Sequence, residues 1–245
     1  MPKALYSLCR ADDAPNPNPV MVTDKLAMQT SRQTTHRLLC TRCEQLLSER
    51  GENWTIPQLA SYGGRFPFGE TLKKLKPLDT LPGDLAYSLE AVGEVHADDL
   101  THFAMGIFWK SSVHSWDKRR TEPLISLGKH EENVRRFVAG EGPFPSDIAL
   151  TVMVQPMPVK QISFVFPATT DGSVSQFYVP GIQFMLWLGP AVPLEIRLAS
   201  FHAKPRFVLV LDVESYVREK FVDVYSRAYK RSDFLATLPK PPPPK

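Results

Sequence analysis

Cys40 and Cys43, in the run Cys40-Thr41-Arg42-Cys43-Glu44, are the residues of this chain best suited to chemistry. A tetrahedral structural zinc takes four ligands, and C-x-x-C is the usual way to supply two of them from one tight turn. No second C-x-x-C follows, so Cys9 and six histidines are the remaining candidates for the other two. Cys9 and His36 would complete a three-cysteine, one-histidine set of acceptable ligand chemistry. The competing reading leaves Cys9 as a small buried residue and His36 exposed. The pair itself can also be read as two reduced thiols on a turn. A redox dithiol is a third reading, weakened because no βαβ unit is visible around the motif.

Other polar residues carry less. His102, His114 and His130 are the candidate general bases, but His102 and Trp109 lie seven apart on one helical stretch, which is commonly a packing face. No G-x-S-x-G elbow, P-loop or G-x-G-x-x-G occurs, so a serine hydrolase of that type and nucleotide-cofactor chemistry have no support. Basic groups stand at Lys73, Lys74 and Lys76, at Lys118, Arg119 and Arg120, and at Lys230 and Arg231. Each is either a phosphate-contacting patch or solvated surface. Arg37 and Arg42, flanking the knuckle, are the better candidates for nucleic-acid contacts, since zinc knuckles often present arginines to the phosphate backbone.

These residues need elements to hold them. Residues 1–10 form a short helical stretch with Ala4, Leu5 and Leu8, and residues 12–19 are a Pro- and Asn-rich loop. Residues 34–39 read as a strand feeding the knuckle, residues 44–50 as a helix stopped by Gly51, and residues 54–68 as an irregular connection. Helical spacing from Asp98 to about Trp116 and over 129–139 gives two helices, the second stopped by Gly140. Strands are expected at 148–154, 161–166, 175–188 with a break at Pro180-Gly181, and 207–211. Asp212 would cap a last helix carrying Val213, Val217, Phe221 and Val224 on one face. At 245 residues, the chain has room for a small module fused to a larger one. A net charge of +3 permits nucleic-acid binding without arguing for it. Three cysteines make no disulfide framework, and Asp12, Asp13 and several prolines precede any apolar run, so a reducing cytoplasm is expected and a membrane span is not.

The knuckle and its surroundings resemble a group of bacterial proteins related to the HNH (ββα-metal) nucleases. Pro2-Lys3-Ala4-Leu5-Tyr6 is similar to the stretch following that family's Ser-His-Ile-Ile, and Leu38-Leu39-Cys40-Thr41-Arg42-Cys43-Glu44 to its second knuckle. Pattern-level similarity continues through Phe103–Val113, Leu127-Gly128-Lys129-His130-Glu131-Glu132 and Pro143-Phe144-Pro145. The resemblance implies zinc at Cys40 and Cys43, DNA as a partner, and a first cysteine pair and general-base histidine that would precede Met1. It therefore transfers no catalytic residue to this chain. A protein partner or second subunit would be a source of the missing zinc ligands.

The fold expected is α+β: a truncated HNH-like knuckle module over 1–60, a mainly helical region over 61–146, an antiparallel sheet region with a C-terminal helix over 147–236, and a disordered Pro-rich tail over 237–245. The expected function is that of an HNH-endonuclease-related, nucleic-acid-associated protein without competent nuclease chemistry. The alternative is a non-enzymatic protein-interaction module with a degenerate metal site.

Overall fold

A computed structural model of the chain describes residues 3–10, 17–22, 27–29, 36–61, 64–81, 84–89, 95–115, 121–155, 166–171, 173–189, 192–201 and 206–211. The helices are α1 (Lys3–Leu8), α2 (Thr41–Leu47), α3 (Asn53–Gln58), α4 (Pro67–Lys73), α5 (Ala97–Val113), α6 (Glu131–Val138) and α7 (Leu194–Leu198). The strands are β1 (Val20–Val22), β2 (Ala27–Gln29), β3 (Asp79–Leu81), β4 (Asp84–Ser88), β5 (Ile148–Val154), β6 (Phe166–Asp171), β7 (Val174–Val179), β8 (Ile182–Leu188) and β9 (Phe207–Leu211). Helices and a mixed sheet make the chain α+β. Strands β1 and β2 pair only with each other among the described residues.

The other seven strands form one sheet in the order β3-β4-β9-β5-β8-β7-β6. This corrects the expected antiparallel sheet: β9 enters between β4 and β5 and runs parallel to β5, with Met153 opposite Leu209. It also brings in β3 and β4, two short polar-flanked strands from a stretch that reads as helical. The hairpin of β7 and β8 turns at Pro180-Gly181, where Gly181 has φ +87. Proline is favoured at the first corner of a type II turn, and glycine supplies the left-handed φ that the second corner requires.

Strand alternation decides which face is apolar. Val152 lies opposite Phe184, and Phe184 opposite Phe177, so the three point to one side of the sheet. On that side lies α5, with Leu100, Ala104, Met105 and Phe108 wholly buried. The Phe108 and Phe177 rings meet edge-on at 4.8 Å, Phe103 lies 6.0 Å from Phe184, and Phe177 stacks on Phe184 at 4.8 Å. Apolar residues occupy α5 on several sides, so a sheet alone cannot cover it.

Its second cover is the helix that begins at the cysteines. Backbone helical geometry runs unbroken from Thr41 to Gln58, as α2, a π-helical turn at Ser48–Glu52, and α3. Gly51 therefore does not stop the helix. It sits where a Cβ would come within 2.8 Å of the Phe103 amide nitrogen and 2.9 Å of its Cα, so this turn lies against the α5 backbone itself. One turn away, a Cβ on Gly106 would come within 3.0 Å of Leu47 Cδ2. The close helix–helix contact outweighs the roughly 1 kcal/mol by which glycine disfavours a helix interior. The irregular connection expected over 54–68 is narrowed: its first residues belong to α3, with Pro57 in the final turn, and Pro67 opens α4, where its missing N–H costs nothing. The described residues between the two helices are irregular, as expected. Residues 36–39 are described and are not strand.

Gly51→Ala must push two backbones apart. It should lower unfolding free energy by about 1–3 kcal/mol, whereas Gly142→Ala, whose Cβ would meet Arg136 Cβ at an ordinary 3.5 Å, should change it by less than about 0.5 kcal/mol. Urea titration of both variants reads the difference. Equal stabilities for the two variants would refute the backbone contact.

Candidate dithiol and metal-ligand site

Cys40 is the N-cap of α2, extended at φ −73 and ψ 163, and Cys43 lies in the first turn, closed by the Glu44 N–H donating to the Cys40 carbonyl at 3.0 Å. Residues three apart at the head of a helix share one side, so the two thiols face each other. Cys40 is exposed and Cys43 half-buried. The Cys43 amide N–H and then its thiol draw Cys40 below the ordinary thiol range, although no side-chain hydrogen bond of full geometry caps the helix among the described residues. Cys43 is pushed the opposite way, first by its hydrogen bond with the Cys40 sulfur and then by burial, with Glu141 adding negative charge nearby.

Glu141 arrives from the far end of α6. Gly140, at φ +72, turns the chain out of that helix, and Arg50 of the π-helical turn lies over it, with Nη1 2.7 Å from where a Cβ would sit. Glu141 is then held by Arg135 at 2.9 Å, and Arg135 also binds Glu132 at 2.8 Å. The first consequence is electrostatic: Glu132 is held below the usual carboxylate range, chiefly by its hydrogen bonds from Arg135. The second is that Glu141, nearly a hundred residues away in sequence, becomes part of the cysteine environment. Only the helix stop at Gly140 hints at this in the sequence.

The candidate residues divide sharply. Cys40 and Cys43 are brought together, with Arg37 and Arg42 exposed on the same segment, and Arg42 adding positive charge near Cys43. Cys9 is half-buried at the end of α1, and His36 lies against His114, ring centroids 4.1 Å apart. Among the described residues, no group of three or more His, Cys, Asp or Glu side chains is placed to hold a metal ion. Tested against zinc, the described chain thus offers two suitable thiols, half of what a structural zinc takes. The set of Cys9 and His36 with the knuckle is not gathered in this structure.

Two candidate histidines are tied into the fold. His102 is buried on α5 and its Nε2 lies 2.9 Å from the Val138 carbonyl at the end of α6. Its Nδ1 is buried without a hydrogen-bond partner among the described residues. His130 is buried at the start of α6, with Nδ1 2.8 Å from Asp147 Oδ2, close in distance but off the hydrogen-bonding angle. Of the basic groups, Lys73 pairs with Glu70 at 2.8 Å, and Lys74 and Lys76 are exposed. Lys118, Arg119, Arg120, Lys230 and Arg231 lie outside the described residues, as do the expected C-terminal helix and tail.

No protein-family model, curated protein or solved structure matches the chain.

Burial holds His102 below its ordinary value of 6.5, and Arg50 adds to that, against opposing contributions from the Val138 carbonyl and Asp99. The unfolded chain therefore binds a proton at higher pH than the folded one, so the stability His102 contributes is complete above pH 6.5 and is lost as the pH falls below it. Denaturant unfolding at about pH 7.5 and about pH 5 should show a smaller acid loss in His102→Gln than in the parent. An identical loss in both would assign the acid sensitivity elsewhere.

Proposed function

We propose that this chain is an HNH-endonuclease-related protein that associates with nucleic acid through a zinc knuckle and does not itself cleave. Cys40 and Cys43 supply two ligands to a structural zinc, and the remaining ligands come from outside the described residues or from a second subunit or protein partner. The observation that carries this reading is the meeting of two thiols at the head of a helix anchored on α5, with Arg37 and Arg42 exposed beside them. Zinc in such a place would fix the geometry of the turn and leave the arginines free for phosphates. Among the described histidines, His102 and His130 are buried and engaged by Val138 and Asp147, which supports a binding role over a nuclease one.

A protein-interaction role has one observation in its favour. Leu194 and Leu198, one turn apart on α7, are 66% and 65% exposed. Among the described residues, no helix is long and apolar enough to cross a membrane.

Zinc content after dialysis and duplex DNA binding at several salt concentrations separate these roles. The parent should retain zinc, and Cys40→Ser with Cys43→Ser should lose it. Arg37→Ala with Arg42→Ala should keep the zinc, weaken DNA binding, and reduce the slope of log K against log salt by about 2. A zinc-free parent whose DNA binding ignores both arginines would leave the protein-interaction role standing alone.

A further inference from the structure

The cysteine pair carries a second chemistry that needs no metal. Cys40 and Cys43 sit at the N-cap and in the first turn of one helix, three residues apart, and they differ in access: Cys40 is exposed, Cys43 half-buried. Cβ atoms three residues apart on a helix are about 5–6 Å from each other, and a disulfide asks for about 3.5–4.5 Å. Cys40 already lies outside the helix in an extended conformation, so closing that gap moves the cap residue and leaves the helix intact. Residues 36–39, ahead of it, belong to no strand, so no sheet ladder resists the movement. Leu39 packs on the core and His36 lies against His114, which confines the movement to Cys40 itself. Cys9 makes no third member of a thiol cluster.

We propose that Cys40 and Cys43 form a thiol–disulfide exchange pair acting on small exposed disulfides of the class of oxidised glutathione. Cys40 is the attacking thiol because it alone of the two is exposed, and Cys43 resolves because it lies behind Cys40 within reach of its sulfur. In the first step, the Cys40 thiolate attacks one sulfur of the substrate, forming a mixed disulfide and releasing the other half as a thiolate. In the second, the Cys43 thiolate attacks the Cys40 sulfur, forming the Cys40–Cys43 disulfide and releasing the second half. The protein gives up two electrons and two protons, and the substrate disulfide becomes two thiols. Arg37 and Arg42, exposed beside the attacking thiol, match the carboxylates that such substrates carry.

The test is oxidation of the purified full chain by oxidised glutathione in a metal-free, chelator-containing buffer, so that its result does not depend on zinc. Free thiols are counted, and the products are located by peptide mapping. The parent should fall from three free thiols to one, with Cys40 joined to Cys43 and no glutathione retained. Cys43→Ser should stop at one glutathione on Cys40, Cys40→Ser should react at least about tenfold more slowly at Cys43, and Cys9→Ser should close as the parent does. Serine is itself a favoured N-cap residue, so Cys40→Ser keeps the helix start. A parent that accumulates glutathione on all three cysteines alike, or a Cys43→Ser chain modified first at Cys9, overturns the proposal.

Discussion

The contact of Gly51 with the backbone of Phe103 is the constraint on which the rest depends. A side chain on either helix at that point would hold the two apart, and no sheet contact would replace the lost burial. Because glycine occupies the place, the helix from Thr41 to Gln58 lies directly on α5, and the π-helical turn at Ser48–Glu52 is where its face adjusts to do so. The sheet meets α5 from another side through Phe177 and Phe184. Cys40 and Cys43, one to two turns ahead of the π-helical turn, inherit their position from this packing. They are placed by a core contact, and their own side chains remain accessible for chemistry.

Polar groups along the same helix, buried at His102 and Lys110 and exposed at Asp98, tie it to other elements. His102 holds the end of α6 through Val138, Lys110 stands 3.5 Å from Glu52 in the π-helical turn, and Arg206 binds Asp98 where β9 begins. His102 and Lys110 are costly to bury unless paired, and each meets a partner on a different element. Arg50 and Arg135 extend the arrangement to the helix exit at Gly140 and Glu141, which connects the charge around Cys43 to the docking of α6.

Periodicity was legible where it was strong. The apolar run from Leu100 announced α5, and the β-branched and aromatic runs announced β5, β7, β8 and β9 close to their observed limits. Local rules failed where a distant partner decided the outcome. Gly51 reads as a helix stop, but contact with Phe103 reverses the preference. Asp79–Leu81 and Asp84–Ser88 are too short and polar to signal strands, and the pairing of the first with the second, and of the second with β9, makes them so. The parallel neighbour of β5 likewise leaves no trace in local spacing. At the site, the C-x-x-C and its arginines were visible as a motif. Glu141 and the His36–His114 contact were not, since both arise from chain segments brought together only by α5 and α6.

The central claim is that Cys40 and Cys43 act as one unit with an exposed first thiol, distinct from Cys9. Residue-resolved alkylation kinetics, read by mass spectrometry with and without added zinc, test it most directly. Cys40 should label first in metal-free protein, zinc should protect Cys40 and Cys43 together, and Cys9 should label at a rate zinc does not change. Independent labelling of Cys40 and Cys43 at equal rates, with zinc protecting neither, would contradict it.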